Sequence, residues 1–209
     1  MERMDPGPVS AAPDTAPVTG ATDMATRWIG VLFAIGSTCF LVGPIPGFVE
    51  LVGSEVDAAV FFAGSIFFTS AALLQMLQSS GGLDRWACVV QFAGTLFFNV
   101  STFHALQTGL HANEYDRLVW RPDWRGSVCF LASGVLAYLA VRRLSHRATD
   151  WRIAVVNLAG CVAFGISAIA GYVVPSTGSA LDLAGANLWT SLGALCFLVG
   201  ALMLLPSRR

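Results

Sequence analysis

Polar and apolar positions along this chain separate into six long uncharged runs divided by short charged stretches. Residues 29–49, 58–78, 87–103, 126–141, 153–174 and 183–205 contain no Asp, Glu, Lys, Arg or His. Each run is continuously apolar and rich in Leu, Ala, Gly and Phe, without the every-second-residue alternation of a barrel strand. A helix of about 17 to 25 residues crosses a bilayer, so five of the runs suffice unaided. The fourth is the shortest and needs Trp124 and Arg125 as an interfacial first turn. The pattern predicts an all-α fold, a bundle of six transmembrane helices.

Within every run a glycine is followed four residues later by a phenylalanine. The pairs are Gly36 and Phe40, Gly64 and Phe68, Gly94 and Phe98, Gly126 and Phe130, Gly160 and Phe164, and Gly193 and Phe197. Chance placement of 21 Gly and 14 Phe in 209 residues would produce one or two. Gly at i and Phe at i+4 share one helix face. The residue after each glycine is small: Ser37, Ser65, Thr95, Ser127, Cys161 and Ala194. Helices in lipid associate by close packing at small residues. Each copy therefore predicts a notch with a neighbouring phenylalanine packed near it; a ligand cavity built from these faces is the alternative.

The tryptophans group the copies. Trp28 and Trp86 stand eight residues before Gly36 and Gly94, and Trp151 stands nine before Gly160; the other three copies lack this spacing. The repeating unit is then a helical hairpin of about 60 residues, occurring at 27–80, 85–144 and 151–206, three pseudo-repeats related by an axis along the membrane normal. Ahead of them, residues 1–26 read as a disordered cytoplasmic tail, broken by Pro6, Pro8, Pro13 and Pro17. No apolar core follows a basic start, so the tail is not a signal peptide, and the first helix is expected to serve as an uncleaved anchor.

Composition agrees. Charged residues make up 12% of the chain against 55% apolar, where soluble domains carry about 25% charged; mean hydropathy is +0.66. All twelve basic residues are arginine. With both termini in the cytoplasm, Arg3, Arg27, Arg85, Arg142, Arg143, Arg147, Arg152, Arg208 and Arg209 lie inside. Arg117, Arg121 and Arg125 lie outside, as the positive-inside rule requires. Trp28, Trp86 and Trp151 then mark the inner interface and Trp120, Trp124 and Trp189 the outer one. The expected location is the cell membrane, multi-pass, N-in and C-in, with the lipid bilayer as partner and no nucleic acid.

The stretch WIGVLFAIGSTCFLVGPIPGFVE, with AAVFFAGSIFFTSAALLQML after it, resembles the YrhK-like bacterial membrane family, a two-helix domain with GS-x-x-F-like signatures. The resemblance is clearest over residues 28–79 and weaker in the later hairpins. It implies a membrane location and a helical fold, and brings no activity with it.

Candidate chemistry is sparse. Cys39, Cys88, Cys129, Cys161 and Cys196 all fall within apolar runs and form no CxxC, so they read as small hydrophobes. Gln91 and Asn157 each precede a motif glycine by three residues, facing the helix partners. They are expected to bond to each other or to nearby backbone as packing glue, with a polar cavity as the alternative. Phe33 holds the matching place in the first hairpin, and Asn99 adds a further amide. Gly43-Pro44-Ile45-Pro46-Gly47 should kink or unwind the first helix near its outer end; a gate or re-entrant segment is the sharper reading.

The longest loop, 107–123, reads as outer, solvated and self-paired. Its alternative is a metal, ligand or partner site drawing on His104, His111, Glu114, Asp116 and Arg121, although their spacing matches no metal motif. No charged residue or histidine lies deep in a helix, which counts against proton-coupled transport. No nucleophile is paired with a base, and no cofactor motif occurs. The first expectation is a non-enzymatic structural or partner-binding membrane protein, with homo-oligomers open; the alternative is a small-solute transporter or channel.

Overall fold

The computed structural model describes residues 19–107, 109–144 and 148–205. The tail's residues 1–18, and with them Arg3, lie outside these, as do Arg147, Arg208 and Arg209. In chain order the helices are α1 (Thr19–Val42), α2 (Phe48–Val52), α3 (Ser54–Gln78), α4 (Gly82–Ala105), α5 (Ala112–Tyr115), α6 (Arg121–Leu144), α7 (Ala148–Ala170) and α8 (Leu183–Leu204). A π-helical turn, Asp116–Trp120, joins α5 to α6. The long helices have 22 to 25 residues, about 33–38 Å at 1.5 Å per residue, and six spans are long and apolar enough to cross a membrane. No strand occurs among the described residues, only an isolated bridge between Val173 and Ala180.

Two stretches differ from the reading of the sequence, and a third follows it. α1 begins at Thr19, seven residues before the expected end of the tail at 26, because the last proline is Pro17 and nothing after it interrupts a helix. α1 ends at Val42, short of the end of the apolar run at 49, where the Gly43–Gly47 segment was expected to kink or unwind it. Pro44 and Pro46 have no N–H to donate, so the chain turns through Ile45 N to Val42 O (3.0 Å) and Phe48 N to Ile45 O (3.0 Å) before α2 starts. The stretch 107–123 is largely helical from Ala112 onward. Its charged side chains sit on the first turns of α5, the π turn and α6, and are not strung along an open loop.

The six long helices form a closed ring in which α1, α3, α4, α6, α7 and α8 each pack on the next, and α8 returns to α1. The motif glycines explain the close approach inside three of these seams. A Cβ on Gly36 would lie 2.6 Å from the Phe68 ring and 2.9 Å from the Gly64 carbonyl oxygen, and one on Gly64 3.2 Å from Phe40. The α4/α6 pair repeats the arrangement with Gly94 against Phe130 and Gly126 against Phe98, and the α7/α8 pair with Gly160 against Phe197 and Gly193 against Phe164. Each helix thus offers a glycine to the ring of its antiparallel partner and receives a glycine in return.

The consequence lies on the ring axis. Phe40, Phe68, Phe98, Phe130, Phe164 and Phe197 are each 3–7% exposed. Their rings interlock mostly edge-on, touching pairs having centroids 4.9–6.4 Å apart. Such pairs add about 0.5–1.5 kcal/mol each beyond simple burial. The void left among Phe40, Phe68, Phe98, Phe130 and Phe164 is about 10 Å³, bordered also by Ser65 and Thr95. That is at the lower limit for one water molecule. The bundle centre is packed.

Hydroxyls tie the seams between these pairs. Ser65 and Thr102 share a hydrogen bond of 2.9 Å across α3/α4, and Thr69 donates to Asn99 Oδ1 at 3.1 Å. Ser127 donates to the Phe164 carbonyl across α6/α7 (3.4 Å), and Ser191 to the Leu41 carbonyl across α8/α1 (3.5 Å). Within the α7/α8 pair, Ser167 shares a 2.7 Å bond with Thr190. At this depth hydroxyls turn to protein partners, with the exception of Ser37 Oγ, which is buried without a partner among the described residues.

Candidate functional site

A second cavity, of about 340 Å³, lies at the end where α4 and α7 begin and α3, α6 and α8 finish. Its floor is Phe130, Phe197 and Cys161, the underside of the aromatic core. Its walls are apolar, with Ala137 and Val141 from α6, Ile153 and Ala154 from α7, and Leu204 from α8. Polar groups enter from four helices: Gln75 from α3, Gln91 and Asp84 from α4, Asn157 and Asp150 from α7, and Ser133 from α6 between them. Among the described residues this lining holds two carboxylates and no basic side chain.

The helix register creates the grouping. Asp84 precedes Gln91 by seven residues, and Asp150 precedes Asn157 by seven, two turns on the same face and about 10 Å of depth. Gln91 and Asn157 share the cavity but not a hydrogen bond. Gln91 Oε1 accepts from Ser133 at 3.5 Å, while Asn157 Oδ1 is buried with no partner among the described residues. The Asn157 side chain fits against Gly200 of α8, where a Cβ would collide with it. In place of the expected bond to each other or to nearby backbone, the two amides line one cavity, the alternative the sequence left open. Asn99 lies apart, bonded to Thr69 in the α3/α4 seam.

Asp84 and Asp150 escaped notice in the sequence, yet a signal was present. Both stand ten residues before their motif glycine, where the first hairpin carries Thr26. In that hairpin the amide position is Phe33, which is buried with its ring 5.3 Å from Phe68. α1 therefore fills its sector with an aromatic and contributes nothing to the chamber. Gln75 and Ser133 had no periodic signal; they line the cavity only because the ring closes.

At the opposite end the candidate loop residues are used locally. The His111 backbone N–H donates to Glu114 Oε2 at 3.1 Å, capping α5. Asp116 pairs with Arg121 at 2.9 Å. His104 stands at the last turn of α4 beside the Phe103 ring, its Nδ1 buried without a partner among the described residues. Trp120 closes this end, donating from Nε1 to the Ala168 carbonyl at 2.8 Å, stacked on Trp124 and set edge-on to Tyr172. Among the described residues no three His, Cys, Asp or Glu side chains are grouped to hold a metal ion.

The five cysteines are all free. Cys39, Cys129 and Cys196 set their Cβ atoms against Gly64, Gly94 and Gly160, so that slot is a packing position. What the arrangement offers chemically is one chamber, apolar below and acidic-to-amide above, sealed at its floor. Comparison of the chain with protein-family models, with curated proteins and with solved structures finds no match.

Proposed function

We propose that this chain is a non-enzymatic, multi-pass protein of the cell membrane that acts by binding, as a structural or partner-binding scaffold. In this reading it is built from three pseudo-repeated hairpins, has both termini in the cytoplasm, and belongs with the YrhK-like bacterial membrane proteins. The observation that carries it is the interlocked aromatic core. Six phenylalanines interlock there, the void among five of them is only about 10 Å³, and a centre so filled argues against a pore. The reciprocal glycine–phenylalanine contacts leave no room for even a methyl group between a ring and its partner helix, the close packing of a rigid core. Exposed Trp28, Trp86 and Trp151 suit the inner interface of the proposed orientation.

The test is flux. The full chain, reconstituted in sealed vesicles, should release trapped potassium and small neutral solutes no faster than protein-free vesicles. Saturable release would overturn the scaffold reading. Orientation is tested separately by fusing to Arg209 a reporter active on one side of the membrane only; an extracytoplasmic signal refutes N-in and C-in.

A second reading, a small-solute transporter, is favoured by the 340 Å³ chamber. Its floor is the aromatic core, which would then be the closed gate of an alternating-access cycle. Saturable flux abolished by Gln91→Leu or Asn157→Leu, with folding intact, would establish it.

A further inference from the structure

We propose that the rim of the bundle where α4 and α7 begin and α6 finishes is a docking surface for anionic phospholipid. The arginines of that sector hold the phosphodiester headgroup, and its tryptophans lie at the interface beside it. This goes beyond the scaffold reading, and it holds whichever leaflet that end occupies.

Helix register is the first argument. Asp84, Val141 and Asp150 line the cavity, and successive residues on a helix are turned by about 100°. Arg85 and Trp86, Arg142 and Arg143, and Trp151 and Arg152 come one and two places later, and all are exposed. These helix ends therefore sort their charge, carboxylates toward the cavity and guanidiniums away from it. Ring order is the second argument. α6 packs between α4 and α7, so the four arginines fall on three consecutive helices. Neighbouring helix axes stand about 8–10 Å apart, which confines the group to an arc of roughly 20 Å. Elsewhere on this end α1 contributes Arg27, while the last turns of α3 and α8 carry no basic residue.

The third argument is that the charge is not consumed within the protein. None of the four arginines enters an ion pair with a described residue; the pair of Asp116 with Arg121 lies at the opposite end. Arg142 rests over the Tyr138 ring, and Arg85 reaches only the Met76 carbonyl, at 3.4 Å. Arg85 and Arg152 also stand near the starts of α4 and α7, where a cation opposes the helix dipole. Their charge serves a partner better than it serves the helix. A guanidinium matches phosphate through two parallel hydrogen bonds. Trp86 and Trp151, 63% and 47% exposed, are the residue type that settles at headgroup level. Basic surface among helix ends at the membrane face is where anionic headgroups are held, and the tryptophans select lipid over a soluble anion.

The full chain, delipidated in neutral detergent, is titrated with phosphatidylglycerol, phosphatidylcholine or inorganic phosphate, bound lipid being counted by native mass spectrometry. Phosphatidylglycerol should saturate at about one or two molecules per chain, at least tenfold more tightly than phosphatidylcholine. Inorganic phosphate should displace it no better than chloride at equal ionic strength. A basic residue beside an anionic lipid surface counts for about fivefold in affinity. Arg142→Gln with Arg143→Gln should then weaken phosphatidylglycerol roughly twentyfold and leave phosphatidylcholine unchanged. Arg27→Gln, on the helix opposite α6 in the ring, should alter it less than twofold. Equal retention of the two lipids would overturn the proposal. So would specific displacement by inorganic phosphate, which marks a free-anion site, or a loss with Arg27→Gln as large as with the α6 pair, which marks net charge alone. The lipid comparison on the unsubstituted chain decides even if a variant does not fold. Flux and the reporter fusion do not read headgroup binding, so this inference and the scaffold reading fail separately.

Discussion

Replacing Gly36 with alanine tests the packing argument where it is tightest. The new Cβ would lie 2.6 Å from Phe68 Cδ2, 2.9 Å from the Gly64 carbonyl oxygen and 3.2 Å from the Phe68 backbone nitrogen. Nonbonded carbons prefer about 3.5–4.0 Å, so roughly 1 Å of room must be found. Two of the three obstacles are α3 backbone. The third, the Phe68 ring, is held by Phe33, Phe40, Phe130 and Phe197. The helix pair must separate, at the cost of overpacking, about 1–3 kcal/mol. Against this stands a gain of up to about 1 kcal/mol because alanine favours the helix, leaving a net loss of about 0–2 kcal/mol and a difference of about 1–3 kcal/mol from an unobstructed Gly→Ala change.

Gly165→Ala in α7 is the control, since nothing lies within 4 Å of its Cβ position. Only the propensity gain of about 0.5–1 kcal/mol should appear there. Both variants are unfolded by SDS titration in mixed micelles and followed by tryptophan fluorescence and circular dichroism. Adding Phe68→Leu to Gly36→Ala should recover part of the loss, giving a coupling of at least about 0.5 kcal/mol. If Gly36→Ala proves as stable as Gly165→Ala, the glycines do not set the helix approach and the reasoning fails.

Other outcomes follow from the same geometry. Phe130 borders both the central void and the chamber, so Phe130→Ala should merge them and cost about 3–5 kcal/mol in the same titration, with Phe130→Leu losing less than half as much. The Ser65–Thr102 bond should show a coupling near 0.6 kcal/mol in a double-mutant cycle of Ser65→Ala and Thr102→Val, the usual worth of such bonds in lipid. Gln91→Leu should alter stability by less than about 1 kcal/mol, because it loses only a 3.5 Å contact with Ser133. A loss above about 2 kcal/mol would return Gln91 to the role of structural glue.

Much of the bundle was legible because membrane helices must satisfy their backbone internally and present apolar side chains outward. Uncharged runs of sufficient length therefore announce the helices, and all six are present. The Pro44 and Pro46 break was legible for the same local reason, a missing donor. Boundaries were less so. The charges between 107 and 123 resemble a solvated loop, yet Glu114 caps a helix and Asp116 pairs with Arg121 five residues on. Helical spacing in so short a segment is visible only when the cap is seen.

The candidate site divides along the same line. The positions of Gln91 and Asn157 on the glycine-bearing face could be counted from the repeat, and Asp84 and Asp150 carried an equally regular offset that went unread. Their meeting in one chamber could not be counted. It depends on α6 standing between α4 and α7, and on Phe33 filling the α1 sector, facts of ring order and not of spacing.

By itself, then, the sequence determined six apolar helices and a glycine with its phenylalanine on one face of each, since both depend only on length, hydration and the 3.6-residue turn. Tertiary structure decided that each glycine receives its antiparallel partner's ring, that the six rings converge on one axis and close it, and that the acidic, amide-lined space adjoins that core. The reason is that a helix face specifies what can be packed against it, whereas the order and direction of the neighbours specify what is.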